Sequence, residues 1–117
     1  MQDPRQYLPL TPQQFHILLA LTDRECHGYG IILDIADRTA GHIRLGTGTL
    51  YTAVARLLAL GLVADSDRRD ERRRYYRLTT LGRAVVRAET ARLEALLYQA
   101  HQKGVRPRER DVLRERS

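Results

Sequence analysis

The segment GTGTLYTAVARLLALGLV, residues 46–63, constrains the fold more than any other part of the chain. Its aliphatic residues recur at helical spacing, which predicts a helix buried along one side and stopped by Gly61. That side consists of Leu50, Val54, Leu57 and Leu58. The opposite side is small and nearly uncharged: Gly48, Thr52, Ala55, Arg56 and Ala59. A solvated helix face usually carries several charges, so we predict that this face is shaped for close approach by a partner, with Thr47 as the N-cap.

The size and composition of the chain limit the classes of protein to consider. The 117 residues, with 43% hydrophobic and 29% charged residues, suit one soluble globular domain. No stretch approaches the roughly 20 apolar residues of a membrane helix, and no export signal is seen at the N-terminus. The single cysteine, Cys26, suits a reducing compartment. We therefore expect a cytoplasmic protein without a membrane partner.

The charge balance favours a polyanionic partner. Lys and Arg total 20 against 14 acidic residues, a net charge of +6, and Lys103 is the only lysine. A genome rich in G and C would equally explain the preference for arginine. It would not explain why six arginines and four acidic residues fall between Asp65 and Arg77.

Two helices are predicted before the opening segment. Thr11, Pro12 and Gln14 have the spacing of a capping box with proline at the first helical position, which predicts a helix over 12–22. A second helix is expected to begin after His27-Gly28 and to end at Gly41. The sequence HIRL, residues 42–45, reads as an extended link able to pair at a sheet edge.

A β-hairpin is predicted after the third helix. One strand begins at Leu62-Val63, the second covers residues 75–78, and the polar residues between them are assigned to the turn. Strand alternation predicts that one of Tyr75 and Tyr76 is buried and the other exposed. It also predicts that Arg73 points away from Arg72 and Arg74.

A long helix capped by Thr79 or Thr80 is predicted after the hairpin, about 23 residues and roughly 35 Å in length. Apolar residues follow one side of this helix with a period near 3.5 residues. This apolar side is longer than the rest of so small a domain could bury, so we expect a second copy of the chain to bury it. The predicted dimer contacts are Leu81, Val85, Ala88, Arg92, Ala95, Leu96 and Gln99.

The order of these elements predicts a mainly α fold with a small β-hairpin: a winged helix-turn-helix domain followed by a long C-terminal dimerisation helix. The expected divisions are a loose N-terminal arm at 1–10, the winged helix at 11–78, the dimerisation helix at 79–103 and a charged tail at 104–117. In such domains the third helix enters the major groove of DNA and the hairpin, or wing, follows the backbone or minor groove.

Three motifs resemble the PadR family of transcriptional regulators. They are HGYGI at 27–31, GTLYTAVARLLALGLV at 48–63 and RRRYYRLTTLGRAVV at 72–86. The resemblance covers roughly residues 10–100 and is closest to the compact group with a single C-terminal helix. One departure is Thr52, where the family commonly has proline, which affects contact details more than the fold. The resemblance implies a homodimeric repressor that a small-molecule effector releases from a pseudo-palindromic operator in double-stranded DNA.

The predicted DNA contacts follow from this arrangement. Thr49, Thr52 and Arg56 are placed at base edges, with Arg56 reading guanine. The full set of predicted DNA-contact residues is Tyr29, Thr47, Gly48, Thr49, Tyr51, Thr52, Arg56, Arg72, Arg73 and Arg74. The alternative for Thr49, Thr52 and Arg56 is ordinary helix surface, and Tyr51 could instead be packed internally. Asp70 and Glu71 could neutralise part of the positive charge of the wing arginines. His27 is assigned a structural hydrogen bond.

Other functions find less support in the residues. The four histidines lack a metal-ligand spacing, and no motif of a nucleophilic or phosphate-binding enzyme is present, so we expect no metal, no cofactor and no enzymatic activity. A winged-helix module that binds only proteins, and a winged helix that binds RNA, remain as alternatives. A neutral wing and a bulky third helix would favour the protein-binding module, and this sequence has neither.

Overall fold

The computed structural model describes residues 2–70 and 72–111. Across these residues, four α-helices and three β-strands follow one another along the chain. They are α1 (Pro12–Ala20), β1 (Cys26–His27), α2 (Gly28–Arg38), α3 (Thr47–Ala59), β2 (Val63–Asp70), β3 (Arg73–Leu78) and α4 (Thr80–Gln102). Short 3₁₀ turns lie at Pro4–Tyr7 and Glu109–Asp111. The predicted mainly α winged-helix architecture is confirmed.

The core lies where the apolar faces of α1, α2 and α3 meet the sheet and the first half of α4. The large side chains at its centre are almost fully buried: Ile17, Leu18, Ile31, Ile35, Leu50, Leu57, Leu62, Tyr76 and Val85. Leu58, which was predicted on the buried face of α3, is half-buried at the margin of this core. Burial of one side of α3 leaves its small side outward, as the spacing predicted.

Helix α1 starts as predicted and ends earlier. The Thr11 hydroxyl accepts the Gln14 N–H at 3.0 Å, and the Gln14 side chain accepts the Thr11 N–H at 3.0 Å, which completes the capping box. The helix stops at Ala20 rather than at residue 22. The N–H groups of Leu21 and Thr22 bond three residues back instead of four, so the last turn tightens out of α geometry.

The structure around α2 differs from the prediction at the segment that follows the helix. The helix begins at Gly28 as expected but ends at Arg38, before Ala40 and Gly41 adopt left-handed φ values of 52° and 81°. The prediction that residues 42–45 pair at a sheet edge is wrong. The third strand is instead β1, directly before α2.

Helix α3 begins at Thr47, and its N-cap is Gly46, so the prediction of Thr47 as N-cap is wrong. The Gly46 backbone is extended, and its carbonyl already accepts the Leu50 N–H at 2.9 Å. No side chain caps this first turn. At the other end Gly61 has a φ of 78°, which terminates the helix where the glycine predicted.

The sheet has the order β1-β3-β2 and is antiparallel throughout. Strand β3 lies in the middle. On one side its Tyr75 and Tyr76 pair with His27 and Cys26, and on the other side it pairs with β2 from Leu78, opposite Val63, to Arg73, opposite Asp70. The predicted hairpin is confirmed, but most of its polar centre is strand rather than turn. The two strands run on to the pair Asp70 and Arg73, with an irregularity in register between Asp65 and Arg69.

Helix α4 is fastened to the end of α3 through its own first turn. Thr79 accepts the Gly82 N–H at 2.9 Å through its hydroxyl, which identifies it as the N-cap, and donates that hydroxyl to the Gly61 carbonyl at 2.7 Å. A Cβ on Gly82 would lie 2.0 Å from the Leu62 carbonyl oxygen. Glycine is therefore required here by close backbone approach rather than by its φ angle.

Residues 2–10 are not the loose arm expected from the sequence. Leu10 is buried, and its N–H donates to the Glu89 carboxylate of α4 at 2.9 Å. Glu89 is itself 2% exposed and also accepts two hydrogen bonds from Arg92. A polar contact at the end of the core thus anchors the N-terminal segment. In the tail, residues 104–111 are exposed, and 112–117 lie outside the described residues.

We predict that Gly82→Ala destabilises the fold by about 1–3 kcal/mol, because the added methyl group would overlap a backbone carbonyl that cannot move alone. Urea denaturation measures the change. Gly48→Ala is the matched control, since a Cβ at Gly48 meets no atom within 4 Å. It should be neutral or stabilising, and equal losses in both variants would contradict the steric explanation.

The free energy of unfolding should depend on pH through Glu89. The hydrogen bonds from Arg92, followed in importance by the Leu10 N–H, outweigh burial and hold the pKa of Glu89 below its ordinary value of 4.5. A carboxyl whose pKa is lowered by folding stabilises the fold above 4.5, and this contribution disappears as the pH falls through the folded-state value. Glu89→Gln should therefore be less stable than wild type at pH 7 and approach it in acid. A stability difference that is constant from pH 7 to pH 3 would refute this assignment.

Candidate nucleic-acid interface

The outward side of α3 is exposed and is bordered by two grooves. Thr47, Gly48, Thr49, Thr52 and Arg56 are all exposed, as the helical spacing predicted. The first groove separates this side from the start of α1. Its lining residues are Thr11, Gln13, Gln14, Gly48, Thr49, Thr52, Ala53 and Arg56.

The second groove brings together three elements that are distant in sequence. It lies between the start of α2, the Tyr51 side chain of α3 and the returning strand of the wing. Its lining residues are His27, Gly28, Tyr29, Tyr51, Arg72, Arg73, Arg74 and Tyr76. The structure thus places five of the ten predicted DNA-contact residues in one concave surface, and we call it the wing groove.

Tyr51 joins α3 to α2 within the wing groove. A Cβ on Gly28 would lie 2.5 Å from the Tyr51 hydroxyl oxygen, so the phenol ring rests against the start of α2. The Tyr51 side chain still keeps 48% of its surface exposed, and Tyr29 beside it keeps 58%. Both hydroxyl-bearing rings can therefore reach a ligand in the groove.

His27 has the structural hydrogen bond assigned to it. Its Nδ1 accepts the Gly30 N–H at 3.0 Å, which makes His27 the N-cap of α2. Its ring meets the Tyr75 ring edge-on, with centroids 5.3 Å apart and planes at 84°. Its Nε2 lies 2.9 Å from Nη1 of Arg73. The pairing of β1 with β3 produces this contact, which the sequence did not indicate.

The wing arginines differ in what they contact. Arg74 donates to both carboxylate oxygens of Asp65, at 2.5 and 2.9 Å, and this pairing is the main reason that its pKa is raised. Arg72 and Arg73 are exposed on the same groove. Within β3, Arg73 lies beside His27 on the Tyr75 face, whereas Arg74 lies over Tyr76 on the other face, as strand alternation predicted for these two residues.

Both tyrosines of the returning strand are buried, so the prediction of one exposed ring is wrong. Tyr76 enters the core at 2% exposure, and burial raises its pKa. Tyr75, on the opposite face, is 5% exposed because His27 and the Arg68 guanidinium cover it, the latter 4.4 Å from the ring centroid.

Sequence reasoning missed the residues that support the wing from below. Ser66 of β2 is buried and hydrogen-bonds the Glu25 side chain in the loop before β1. The Ser66 hydroxyl also accepts the Arg68 N–H at 2.9 Å, at the irregular register. Nothing in the local pattern distinguishes Ser66 from a turn residue, since its partner is 41 residues away.

The predicted dimer residues occupy two different environments on α4. Val85 is fully buried in the core of its own chain, and Arg92 is paired with Glu89. Leu81 and Ala88 are half-buried, whereas Ala95, Leu96 and Gln99 are exposed. Large exposed hydrophobic side chains follow the last buried position of α4: Leu93, Leu96, Leu97 and Tyr98.

The described residues also bear on metal, membrane and thiol chemistry. Within 2–70 and 72–111, no three His, Cys, Asp or Glu side chains are grouped to hold a metal ion. No helix in this part of the chain is both long and apolar enough to span a bilayer. Cys26 is buried, and burial raises the pKa of its thiol, which disfavours the reactive thiolate.

A family model described as the transcriptional regulator PadR-like family matches residues 17–88. The chain belongs to this family. The resemblance seen in the three sequence motifs is thereby confirmed, and the matched region includes α2, α3, the wing and the start of α4.

Solved structures agree with this assignment. A transcriptional regulator from Clostridium thermocellum, Cth-833, superimposes with a TM-score of 0.68 and 28% identity over 87% of this chain and 93% of its own. Bordetella bronchiseptica BpsR, whose DNA binding is regulated by 6-hydroxynicotinic acid, superimposes with a TM-score of 0.62 and 31% identity. The match covers 91% of this chain and 77% of BpsR. Bacillus subtilis PadR in complex with operator DNA shares the fold, with a TM-score of 0.57 and 18% identity over 64% and 45%.

One curated relative is also similar in sequence. It is an uncharacterized 37.1 kDa protein in transposon TN4556 of Streptomyces fradiae, 39% identical over 90 residues, or 74% of this chain. The present chain spans 25% of the length of that relative. The shared region therefore corresponds to a domain-sized part of the larger protein.

Proposed function

We propose that this chain is a sequence-specific double-stranded DNA-binding regulator that acts as a homodimeric repressor. The observation that carries the proposal is the wing groove, in which α3, the start of α2 and three arginines face the same space. Such an arrangement suits one turn of duplex DNA, with a helix in the major groove and a wing on the adjoining backbone. The operator complex of Bacillus subtilis PadR supports this use of the fold.

The first turn of α3 suits close contact with the DNA. Its N-cap is glycine and no side chain caps it, so backbone N–H groups are free of capping by the chain's own side chains. A Cβ at Gly48 would meet nothing within 4 Å, so the backbone there lies at the surface. Thr49, Thr52 and Arg56 then follow on the exposed side, where we propose that they read base edges, with Arg56 on guanine.

The wing contributes mainly phosphate contacts under this proposal. Arg72 and Arg73 are exposed with long cationic side chains, as phosphate binding requires. Arg74 is already paired with Asp65 and so contributes less than its position suggests. Tyr29, Tyr51 and Thr47 add hydroxyl groups along the same edge of the site.

The second half of α4 supports the homodimer. The buried residues of this helix end at Glu89, whereas Leu93, Leu96, Leu97 and Tyr98 are exposed beyond it. A second copy of α4 is the simplest cover for this face, because a two-fold axis presents the same apolar surface to itself. A dimer of this kind would place two α3 helices about 34 Å apart on a pseudo-palindromic operator.

We further propose that a small-molecule effector controls DNA binding and that the protein acts in the cytoplasm, where the operator is found. The support for an effector is the regulation of BpsR by 6-hydroxynicotinic acid.

Loss of Arg56 should weaken specific binding. Arg56→Ala is expected to cost about 1–3 kcal/mol of DNA-binding free energy and to relax the preference at one base pair, because a guanidinium that reads guanine makes a bidentate contact. Mobility shifts and footprinting on the upstream region of the chain's own gene measure this. Arg87→Ala is the matched control, since Arg87 is exposed on α4 and carries the same charge. Equal losses in the two variants, or no wild-type binding to duplex DNA at low salt, would contradict the proposal.

Release of Arg74 should strengthen binding. Asp65→Asn removes the carboxylate that neutralises Arg74, so the freed guanidinium can neutralise a phosphate. We expect tighter binding at low salt. The slope of log K against log salt concentration should become steeper by about 0.9 for each subunit, because each subunit would neutralise one more phosphate. Titrations at several salt concentrations check this. The double variant Asp65→Asn with Arg74→Gln should lose the gain, and a gain that persists would assign it to another arginine.

A further inference from the structure

We propose that the groove between α1 and α3 holds the sugar-phosphate backbone of one DNA strand and that Gln13 binds a phosphate of that strand. The inference rests on the proposed function and deepens it, because it adds a DNA contact on the side of α3 that faces away from the wing. We call this groove the α1 groove. Its lining residues are Thr11, Gln13, Gln14, Gly48, Thr49, Thr52, Ala53 and Arg56.

The α1 groove and the wing groove lie on opposite sides of α3. Tyr51 lines the wing groove, and Ala53 lines the α1 groove. Positions two residues apart on an α-helix are separated by about 200° around its axis, so these two side chains leave α3 in nearly opposite directions. Thr52 lies between them and is exposed. A ligand that covers the outward side of α3 therefore meets both grooves.

The dimensions of duplex DNA place one strand at each groove. An α-helix with its side chains is roughly 10–12 Å across, and the major groove of B-DNA is about 12 Å wide. When α3 occupies the major groove, the two strands that border it pass along the two sides of the helix. One strand then passes the wing groove, and the other strand passes the α1 groove.

The walls of the α1 groove suit a sugar-phosphate strand. On the α3 side, every lining residue before Arg56 is no larger than threonine, and the groove has a volume of about 660 Å³. Such a wall lets a deoxyribose ring approach closely. Among the described residues that line the groove, Arg56 is the only charged one, so no lining carboxylate repels a phosphate. The groove thus combines a small, weakly polar wall with a positive charge at one end.

Gln13 has a side chain available for the phosphate. Gln14 beside it accepts the Thr11 N–H through its side-chain oxygen and so belongs to the capping box. The Gln13 side chain, in contrast, makes no hydrogen bond to any residue that the structure describes, although Gln13 is half-buried. A glutamine carboxamide has two N–H donors, and glutamine is among the side chains that bind phosphate oxygens and position a protein on the duplex.

Three substitutions of Gln13 separate DNA binding from folding, measured with the full-length chain and duplex operator DNA. Gln13 is the second residue of α1, where an acidic side chain stabilises a helix and a basic one destabilises it slightly. A nearby phosphate has the opposite preference. We expect affinity to rise in the order Gln13→Glu, Gln13→Ala, wild type, Gln13→Lys. The melting temperature should instead be higher for Gln13→Glu than for Gln13→Lys.

The size of each change identifies the contact as a phosphate. Gln13→Ala should lower affinity about tenfold in a dimer, which loses one hydrogen bond in each subunit. It should leave the preference at every base pair unchanged, and also the slope of log K against log salt concentration, because a neutral amide releases no counterion. Gln13→Lys should make that slope steeper by about 0.9 for each subunit.

Gln6→Lys is the matched control for the added charge. Gln6 is exposed on the N-terminal 3₁₀ turn and does not line the α1 groove, so this variant should keep the wild-type slope. An operator scanned with single neutral methylphosphonates then locates the contact. At one position, wild type should lose affinity while Gln13→Ala loses much less. That position should lie across the major groove from the one that Tyr51→Phe identifies in the same way.

Four results would overturn the inference. They are wild-type affinity in Gln13→Ala, an affinity order that follows the melting temperatures, an unchanged salt slope in Gln13→Lys, or a changed base preference in Gln13→Ala, which would assign Gln13 to a base edge. Operator binding by the wild type separates the two proposals. Its presence with any of these results removes only the phosphate contact of the α1 groove, whereas its absence removes the DNA-binding function itself.

Discussion

The pairing of two residues of β1 with the middle strand of the sheet organises the whole interface. Cys26 and His27 are opposite Tyr76 and Tyr75, and α2 begins at the very next residue. The start of α2 is thus held at the root of the wing by backbone hydrogen bonds rather than by surface side chains. Without this short strand, α2 and α3 would still pack through the core, but the start of α2 would lose its direct pairing with the wing. The strand has only two residues, yet the position of the start of α2 against the wing depends on it.

Sequence patterns predicted the elements whose signals are local and missed those that depend on distant partners. The capping box at Thr11, the Gly61 stop and the apolar side of α3 each lie within one element, and all three are confirmed. The strand at Cys26 has only two residues and no period of its own, so no window of sequence reveals it. The burial of Tyr75 fails for a related reason. Strand alternation correctly predicts that Tyr75 lies on the outer face of the sheet. The ring is nevertheless buried, because Arg68 and His27 cover it on that face.

A count of the arginines in the wing overestimates the positive charge that is available to a ligand. A count does not distinguish one arginine from another, yet the described side chains have separate roles. Arg68 covers an aromatic ring, Arg74 is paired with Asp65, and Arg72 and Arg73 face the groove. Paired and stacked guanidinium groups shape and stiffen the hairpin, which positions the remaining cations. If the wing binds DNA as proposed, it therefore offers fewer arginines to the phosphates than its six arginines suggest.

The first turn of α4 determines how a change at the proposed dimer interface would reach the DNA. Thr79 bonds to the Gly61 carbonyl, and Gly82 packs directly against the Leu62 carbonyl, so direct contacts fix the start of α4 against the end of α3. The hydrogen bond between Glu89 and Leu10 extends this set of contacts to the N-terminal segment. A ligand that altered the angle between two copies of α4 would consequently rotate each α3 without deforming the winged core. In the proposed dimer such a rotation would change the spacing of the two α3 helices, and because a duplex accepts only spacings near its helical repeat, a small rotation would suffice to release it.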